Sequence, residues 1–162
     1  MHIVREAQRG DIDAVYALWQ ELARDQMGKD CYYEGGLEFN FPGCRKQIED
    51  AVNSKDCGMF VACTDTGEIV GFIEAWILCS DFMVNNPEAG YIVHYYVSES
   101  ARGGAFDSLA MLHRLYKRAE SWLIEKGKKY VIADAYYHND RIISLLKAEK
   151  VFPYRVRMVE KI

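Results

Sequence analysis

The stretch from Tyr91 to Ser108 combines residue types that suit anion binding. Tyr91–Val97 is rich in aromatic and β-branched residues and predicts a strand, and Arg102-Gly103-Gly104 then separates it from a long helical pattern. A glycine loop that leads into a helix presents unpaired backbone N–H groups and the positive end of the helix dipole, which suits a phosphate or diphosphate. The alternative is a turn without a ligand, because many strand–helix joints need a glycine only to change direction.

Two side chains near this loop suit proton transfer at neutral pH. His94 lies on the Tyr91–Val97 strand, and an unperturbed imidazole with a pKa of about 6.5 is well matched to such work. Glu74, on the preceding strand, is the second candidate. The competing interpretations are a hydrogen-bonded core histidine and a solvated glutamate. His113 and His138 are expected to be surface residues.

The elements that position these residues follow from hydrophobic periodicity. The pattern predicts the order β-α-α-β-β-β-α-β-α-β around one sheet, an α/β or α+β mixture in a single domain over residues 1–162. Asp11 is the expected N-cap of the first helix and Asn139 that of the last, while Gly127 ends the longest helix. The predicted elements are strands at 3–6, 58–64, 68–78, 91–97, 130–136 and 155–161, a hairpin turn at 65–67, and helices after 11, over 44–53, up to 127 and after 139.

Composition narrows the class of protein and its partners. The chain has 162 residues and a net charge of −4, which argues against a nucleic-acid partner bound through its phosphates. The chain has five cysteines, an odd number without a Cys-x-x-Cys pair, which fits reduced thiols in the cytoplasm. It contains no zinc-binding or heme-binding motif, so we expect no metal. We find neither a signal peptide nor an apolar run long enough to cross a membrane, so we expect a cytoplasmic protein without a membrane partner.

The order and spacing of several short patterns resemble the GNAT superfamily of acetyl-CoA-dependent N-acetyltransferases, over nearly the whole chain. Val97 followed by Arg102-Gly103 resembles the end of the family's fourth strand and its pyrophosphate loop. The other matching patterns are Arg5, Ala7, Asp11, Val15 and Leu18, then Glu68-Ile69-Val70-Gly71-Phe72, then Asn139 and Leu145, and finally Pro153-Tyr154-Arg155-Val156-Arg157-Met158.

The resemblance implies a mixed, mostly antiparallel sheet of about six or seven strands flanked by four helices, with the fourth and fifth strands splayed. It also implies acetyl transfer from acetyl-CoA to a primary amine of a small molecule or a peptide. The pantetheine arm would pair with the fourth strand, and the pyrophosphate would lie on the loop amides. The residues expected to bind the cofactor are therefore Tyr95, Tyr96, Val97, Arg102, Gly103, Gly104, Ala105, Phe106, Asp107, Ser108 and Asn139.

The chain departs from the family pattern at the loop and in the last helix. The pyrophosphate loop is degenerate, because Ala105 replaces a glycine and Asp107 brings a carboxylate towards the diphosphate. Asp107 can instead stabilise the N-terminus of the long helix. In the last helix the tyrosine that many members use to protonate the thiolate is replaced by Leu146 or, with a one-residue shift, by Lys147. Tyr137 or its neighbour Tyr136 is the candidate substitute acid, the alternative being packing at a strand end.

The loop between the first two helices is where the family forms its amine pocket. Tyr32, Tyr33 and Glu34 are the candidate acceptor-binding residues here, since aromatic rings and acids together hold cationic amines. The alternative is that these rings pack against the sheet edge. A second loop, 80–89, either closes the pocket or forms a homodimer contact. The main hypothesis is an acetyltransferase; the alternatives are a non-catalytic acyl-CoA sensor or partner-binding module, and a relative that binds another ligand in the same cleft.

Overall fold

The computed structural model describes residues 3–27, 29, 41–77, 87–101 and 105–153, with the side chains of 105–107 outside this description. The described part of the chain forms one sheet and helices on both of its faces. Its strands are β1 (Ile3–Glu6), β2 (Cys57–Cys63), β3 (Ile69–Trp76), β4 (Ala89–Val97) and β5 (Tyr130–Ala133). Its α-helices are α1 (Ile12–Met27), α2 (Phe41–Asn53), α3 (Ala105–Glu125) and α4 (Asp140–Ala148).

The five strands lie in the order β1-β2-β3-β4-β5. Neighbouring strands are antiparallel except for β4 and β5, which are parallel because α3 crosses between them. The β2–β3 hairpin turns at Gly67, whose φ of 86° is in the left-handed region that glycine adopts readily. The expected mixed, mostly antiparallel architecture is confirmed.

Each face of the sheet is covered by one pair of helices. On one face α3 and α4 enclose a core that includes Phe60, Ile92 and Leu115. On the other face α1 and α2 enclose a second core, which includes Val15 of α1, Met59 of β2 and Phe72 of β3. The central strands are buried on both sides, as expected for a sheet between two helical layers.

One extra residue in β4 changes which face its side chains occupy. Glu74 pairs with His94, but the next residue of β3, Ala75, pairs with Ile92, so Val93 is a β-bulge. Ile92 belongs to the core under α3, whereas His94, two residues later, contacts α1 through Trp19. A bulge also bends its strand and increases its twist. The β4–β5 register ends at Ile92 with Ala133, and the remainder of β4 lies beyond that pairing.

The helix ends largely follow the expected signals. Gly127, with a φ of 76°, ends the longest helix, and Asn139 Oδ1 accepts from the backbone N–H of Ile142 at 3.3 Å as an N-cap. The prediction that Asp11 is the N-cap of α1 is wrong, because the cap lies one turn earlier, at Gln8. Asp11 closes a 3₁₀ turn, Arg9–Asp11, where its carboxylate accepts from Gln8 N at 2.7 Å and from Arg5 at 2.6 and 3.0 Å.

Two further differences concern the strands. β5 ends at Ala133 rather than at Tyr136, because the bulged β4 diverges from it after Ile92. The described residues contain five strands rather than six or seven, and the predicted last strand, 155–161, lies outside them. Within the same described ranges, no helix has both the length and the apolar composition needed to cross a membrane.

Candidate active site

Glu74 and His94 form a hydrogen-bonded pair between β3 and β4. The two residues are directly opposed in the antiparallel register, which brings their side chains together on one face. His94 Nδ1 lies 2.8 Å from Glu74 Oε2. Glu74 is 2% exposed, whereas the His94 side chain is 28% exposed. The pair therefore has a buried carboxylate and an imidazole that reaches solvent.

The second oxygen of Glu74 accepts from two other side chains. Trp76 Nε1 donates to Glu74 Oε1 at 2.6 Å, and Gln47 Nε2, from α2, lies 3.4 Å from the same oxygen. Burial opposes ionisation of this carboxyl, but the hydrogen bond and charge of His94, together with Trp76 and Gln47, outweigh it. The pKa of Glu74 consequently lies below its usual range, and the group is an anion at neutral pH.

The tautomer of His94 follows from this charge. A carboxylate only accepts hydrogen bonds, so Nδ1 carries a proton, and in the neutral form of the ring Nε2 therefore holds the lone pair. Trp19, on α1, packs edge to face against the imidazole, with ring centroids 6.3 Å apart, and meets Phe41 of α2 in the same way at 6.2 Å. The arrangement is a carboxylate–histidine dyad beneath α1 and α2, which can accept a proton from a bound ammonium group.

Two thiols lie near the dyad and remain neutral. Burial raises the pKa of Cys57, on β2, and the negative charge of Glu74 raises it further. The same two causes raise the pKa of Cys44, on α2. Thiolate chemistry is therefore disfavoured at both cysteines, because a thiolate is the nucleophilic form.

Two tyrosines of β4 bridge the point where β4 and β5 separate, Tyr95 from the face covered by α3 and Tyr91 from the face of its strand partner Trp76. The Tyr95 hydroxyl donates to the backbone oxygen of Asp134 at 2.8 Å, and the Tyr91 hydroxyl donates to the carboxylate of Asp134. Burial, and secondarily the charge of Asp134, raises the pKa of Tyr95, so this phenol stays a neutral donor. The splay expected between the fourth and fifth strands is confirmed, with Tyr95 tying its two sides together.

An open depression of about 440 Å³ lies between the N-terminal parts of α3 and α4. Its walls are Leu109 of α3 and Asp140, Arg141, Ser144 and Leu145 of α4. The N-terminal turn of α4 and the Arg141 guanidinium suit a phosphate-bearing ligand, whereas the Asp140 carboxylate in the same wall opposes one. Asn139, predicted to bind the cofactor, caps α4 beside this depression, and its contact with a cofactor stays a prediction.

The other residues predicted to bind the cofactor fall into three groups. Tyr96, Val97 and Ser108 have buried side chains, which leaves a backbone contact as their role. Ala105, Phe106 and Asp107 form the first three residues of α3, but their side chains lie outside the description. Arg102, Gly103 and Gly104 lie outside the described residues altogether, as do the acceptor-binding candidates Tyr32, Tyr33 and Glu34.

The candidate substitute acid does not belong to a strand end. Tyr137 is 91% exposed in the turn before α4, and Tyr136 stacks on His138 with ring centroids 5.6 Å apart. Packing at a strand end is therefore wrong for Tyr137, because β5 ends four residues earlier. In α4 itself, Leu146 lines a small apolar cavity together with Tyr95 and Tyr116. A role for Tyr137 as the acid remains a prediction.

Sequence reasoning missed Trp76, Gln47, Trp19 and Arg141. Gln47 and Trp19 lie on helices far from Glu74 and His94 along the chain, so only tertiary packing reveals their contacts. Trp76 carried a usable signal, since it follows Glu74 by two residues on a strand and therefore shares its face. Among the described residues, no group of three or more His, Cys, Asp or Glu side chains is arranged to hold a metal ion.

Comparison with known proteins assigns the family. The sequence model of the acetyltransferase (GNAT) family matches residues 15–149, and the chain therefore belongs to this family. Membership confirms the expected N-acetyltransferase, which transfers an acetyl group from acetyl-CoA to an amine. No curated protein matches the chain.

Solved structures of low sequence identity share the fold. The aminoglycoside N-acetyltransferase AAC(6')-Iy in complex with CoA superposes with a TM-score of 0.74 at 15% identity, covering 99% of this chain and 95% of that one. AAC(6')-Ih from Acinetobacter baumannii gives 0.68 at 14% identity, covering 99% and 98%. A tetramutant of the BH1408 protein from Bacillus halodurans gives 0.72 at 15% identity, covering 99% of both chains. At these identities the likeness establishes the fold alone.

Proposed function

We propose that the protein acetylates the primary amine of a small cationic molecule, with His94 as the general base and Glu74 as the residue that orients it. The observation that carries this proposal is the 2.8 Å hydrogen bond between His94 Nδ1 and Glu74 Oε2. It leaves Nε2, on a partly exposed ring, as the proton acceptor.

The charge of the dyad favours a cationic acceptor. With neutral His94, the buried Glu74 gives the site one negative charge, and the aromatic rings of Trp19 and Phe41 lie on the same side of the sheet. An ammonium group gains from both features through charge attraction and cation–π contact. Several solved relatives of this fold act on aminoglycosides, which are polyamines. This supports a small-molecule amine over a peptide.

In the proposed reaction His94 Nε2 takes a proton from the bound ammonium and thereby frees the nitrogen lone pair. The amine nitrogen attacks the thioester carbonyl, so that a C–N bond forms and the C–S bond breaks. Glu74 stabilises the imidazolium that results. The departing thiolate takes up the proton that the new amide nitrogen sheds, and His94 later returns its own proton to solvent. No side-chain acid is needed for this balance, which fits the apolar surroundings of Leu146.

The cofactor would occupy the α3–α4 side of the sheet. The pantetheine arm would enter where β4 diverges from β5, and the phosphates would meet the N-termini of α3 and α4 at the depression beside Arg141. This arrangement would place the thioester carbonyl within the splay, where an acceptor amine bound beside His94 on the α1/α2 side could reach it. The Tyr95 hydroxyl bridges this splay through its hydrogen bond to the backbone oxygen of Asp134.

The test compares His94→Ala and His94→Gln with the wild type and with His113→Gln, a control imidazole on α3 that is paired with Glu149. Sisomicin, spermidine and a lysine-containing peptide serve as acceptors, and calorimetry measures the CoA dissociation constant. We expect both His94 variants to lose at least about 100-fold in kcat/KM with unchanged CoA affinity. His113→Gln should retain activity.

Other outcomes overturn specific parts of the proposal. Full activity of His94→Ala removes the dyad as the base. Activity with the peptide alone overturns the small-molecule acceptor. Binding of CoA without turnover of any acceptor would favour the non-catalytic sensor.

A further inference from the structure

Glu74 divides its two carboxylate oxygens between different partners. Oε2 faces His94 Nδ1 at 2.8 Å, while Oε1 receives the Trp76 indole N–H at 2.6 Å. Gln47 approaches Oε1 less closely, at 3.4 Å. The indole is therefore the short, directional contact that fixes the rotation of the carboxylate about its last bond.

Trp76 reaches Glu74 because both side chains leave β3 on the same face. They are two positions apart on one strand, and Trp76 packs with the core beneath α1 and α2. The ring is rigid and has a single N–H donor. It can therefore hold Oε1 in only one direction, and that direction leaves Oε2 aligned with His94.

Few groups other than the Trp76 indole and His94 act on the charge of the Glu74 carboxylate, so the indole has a large effect on its pKa. The titratable groups that act on this carboxylate are His94 on β4, Cys44 on α2 and Cys57 on β2, and both thiols are neutral at physiological pH. Trp19 of α1 and Gln47 of α2 add no charge. At 2% exposure the carboxylate has little water to replace a lost donor.

We propose that Trp76 is a positioning residue for proton transfer: its indole N–H fixes Glu74 so that the carboxylate holds His94 in the tautomer with a free Nε2. This inference rests on the proposed role of His94 as the base. Trp76 itself touches no reacting atom. Its contribution passes through Glu74 to the imidazole, as expected for an outer hydrogen-bond partner that orients an inner one.

Loss of the indole N–H has a defined consequence for pH dependence. Without it the buried carboxylate loses its closest neutral donor, and its charged form becomes less favourable. The carboxylate then binds a proton at higher pH. The acid limb of kcat/KM, which reports protonation of the coupled dyad, therefore moves to higher pH.

The experiment compares Trp76→Phe with Trp122→Phe. Trp122 lies in the core on the opposite face, where it packs against Phe60, so its variant loses an indole N–H far from the dyad. We expect Trp76→Phe to lower kcat/KM about tenfold and to raise the acid limb by about one pH unit, with CoA affinity unchanged. Trp122→Phe should keep the wild-type pH profile.

Two measurements keep the proposal testable independently of folding and of the proposed function. In the wild type, nitrogen NMR should show His94 protonated at Nδ1, and the Trp76 indole resonance should shift over the same pH range as the acid limb. Two results overturn the positioning role. One is an unchanged pH profile of kcat/KM in folded Trp76→Phe, and the other is a Trp76 indole resonance that does not shift over the pH range of the acid limb. Full activity of His94→Ala instead overturns the proposed function, whatever Trp76→Phe does.

Discussion

His94 opposes Glu74 because β4 contains one more residue than the β3 segment it pairs with. The extra residue is Val93, which lies between the Ala75–Ile92 and Glu74–His94 pairs. Without it, the two-residue repeat would place position 94 on the same face as Ile92, in the core beneath α3. The bulge thus serves two parts of the site at once: it turns the imidazole towards Glu74 and bends β4 away from β5.

Replacement of Glu74 by Gln is expected to reverse the tautomer of His94. The amide keeps the shape of the carboxylate, and its oxygen can still accept from Trp76, but its NH₂ then faces Nδ1. The imidazole must accept there and carry its proton on Nε2, which cannot act as a base. We expect kcat/KM to fall at least about 100-fold in steady-state assays. Glu68→Gln, on the exposed β2–β3 turn, is the matched control and should be fully active.

The same variant should change how stability depends on pH. Because the pKa of Glu74 is lowered in the folded protein, its contribution to stability is complete above the usual glutamate pKa of about 4.3 and disappears as the pH falls through the folded value. Urea unfolding from pH 7 to pH 3 should therefore show a shallower acid loss for Glu74→Gln than for the wild type. Parallel curves for the two proteins would contradict the ionised state assigned to Glu74.

Tyr95→Phe is expected to weaken cofactor binding, because it loosens the position of β5 relative to β4 where the two strands separate. The variant removes the 2.8 Å hydrogen bond from the Tyr95 hydroxyl to Asp134 O, so that the end of β5 is less firmly held beside β4. We expect a loss of about 1 kcal/mol in the free energy of unfolding and a several-fold increase in the CoA dissociation constant. Tyr116→Phe, at the same apolar cavity but on α3, should leave CoA binding unchanged.

The start of β4 tolerates no side chain at Gly90. A Cβ there would lie 2.3 Å from Leu123 Cδ2, and Leu123 is fully buried in α3. Gly90→Ala should therefore destabilise the protein by about 1–3 kcal/mol, the usual range for an overpacked core. Denaturant titration measures the change, with Gly10→Ala as the control because nothing lies within 4 Å of a Cβ at Gly10. Equal stability of the two variants would contradict the packing of α3 on β4.

The sequence predicts most of the helices and strands. It also identifies single residues of the site, but not which of them contact one another. Periodicity locates the helices and central strands, and the glycine at 127 and asparagine at 139 locate helix ends, because these signals are local. His94 and Glu74 are each recognisable as proton carriers, but their pairing depends on strand register. The bulge at Val93 has no local marker, since Tyr91–Val97 is β-branched or aromatic almost throughout. Gln47 reaches Glu74 only through the packing of α2 on the sheet.

Asp107 is expected to weaken CoA binding from the first turn of α3. It is the third residue of this helix and lies three positions after Gly104, close to where the family resemblance implies a diphosphate. Two like unit charges 4 Å apart repel by roughly 4 kcal/mol at an effective dielectric of 20, and solvent reduces this substantially. We expect Asp107→Gly to tighten CoA binding several-fold in calorimetry, with a smaller gain at high salt. Asp107→Asn, which removes only the charge, should show the same direction.

The control for Asp107 is Glu125→Gln, which makes the same change in net charge at the opposite end of α3. It should leave the CoA dissociation constant unchanged, because the interaction with the diphosphate is local. Removing the acid from the first turn should also cost Asp107→Asn about 0.3–1 kcal/mol of stability through the helix dipole. If Asp107→Asn loses that stability without any gain in CoA affinity, the carboxylate stabilises the helix and does not oppose the cofactor.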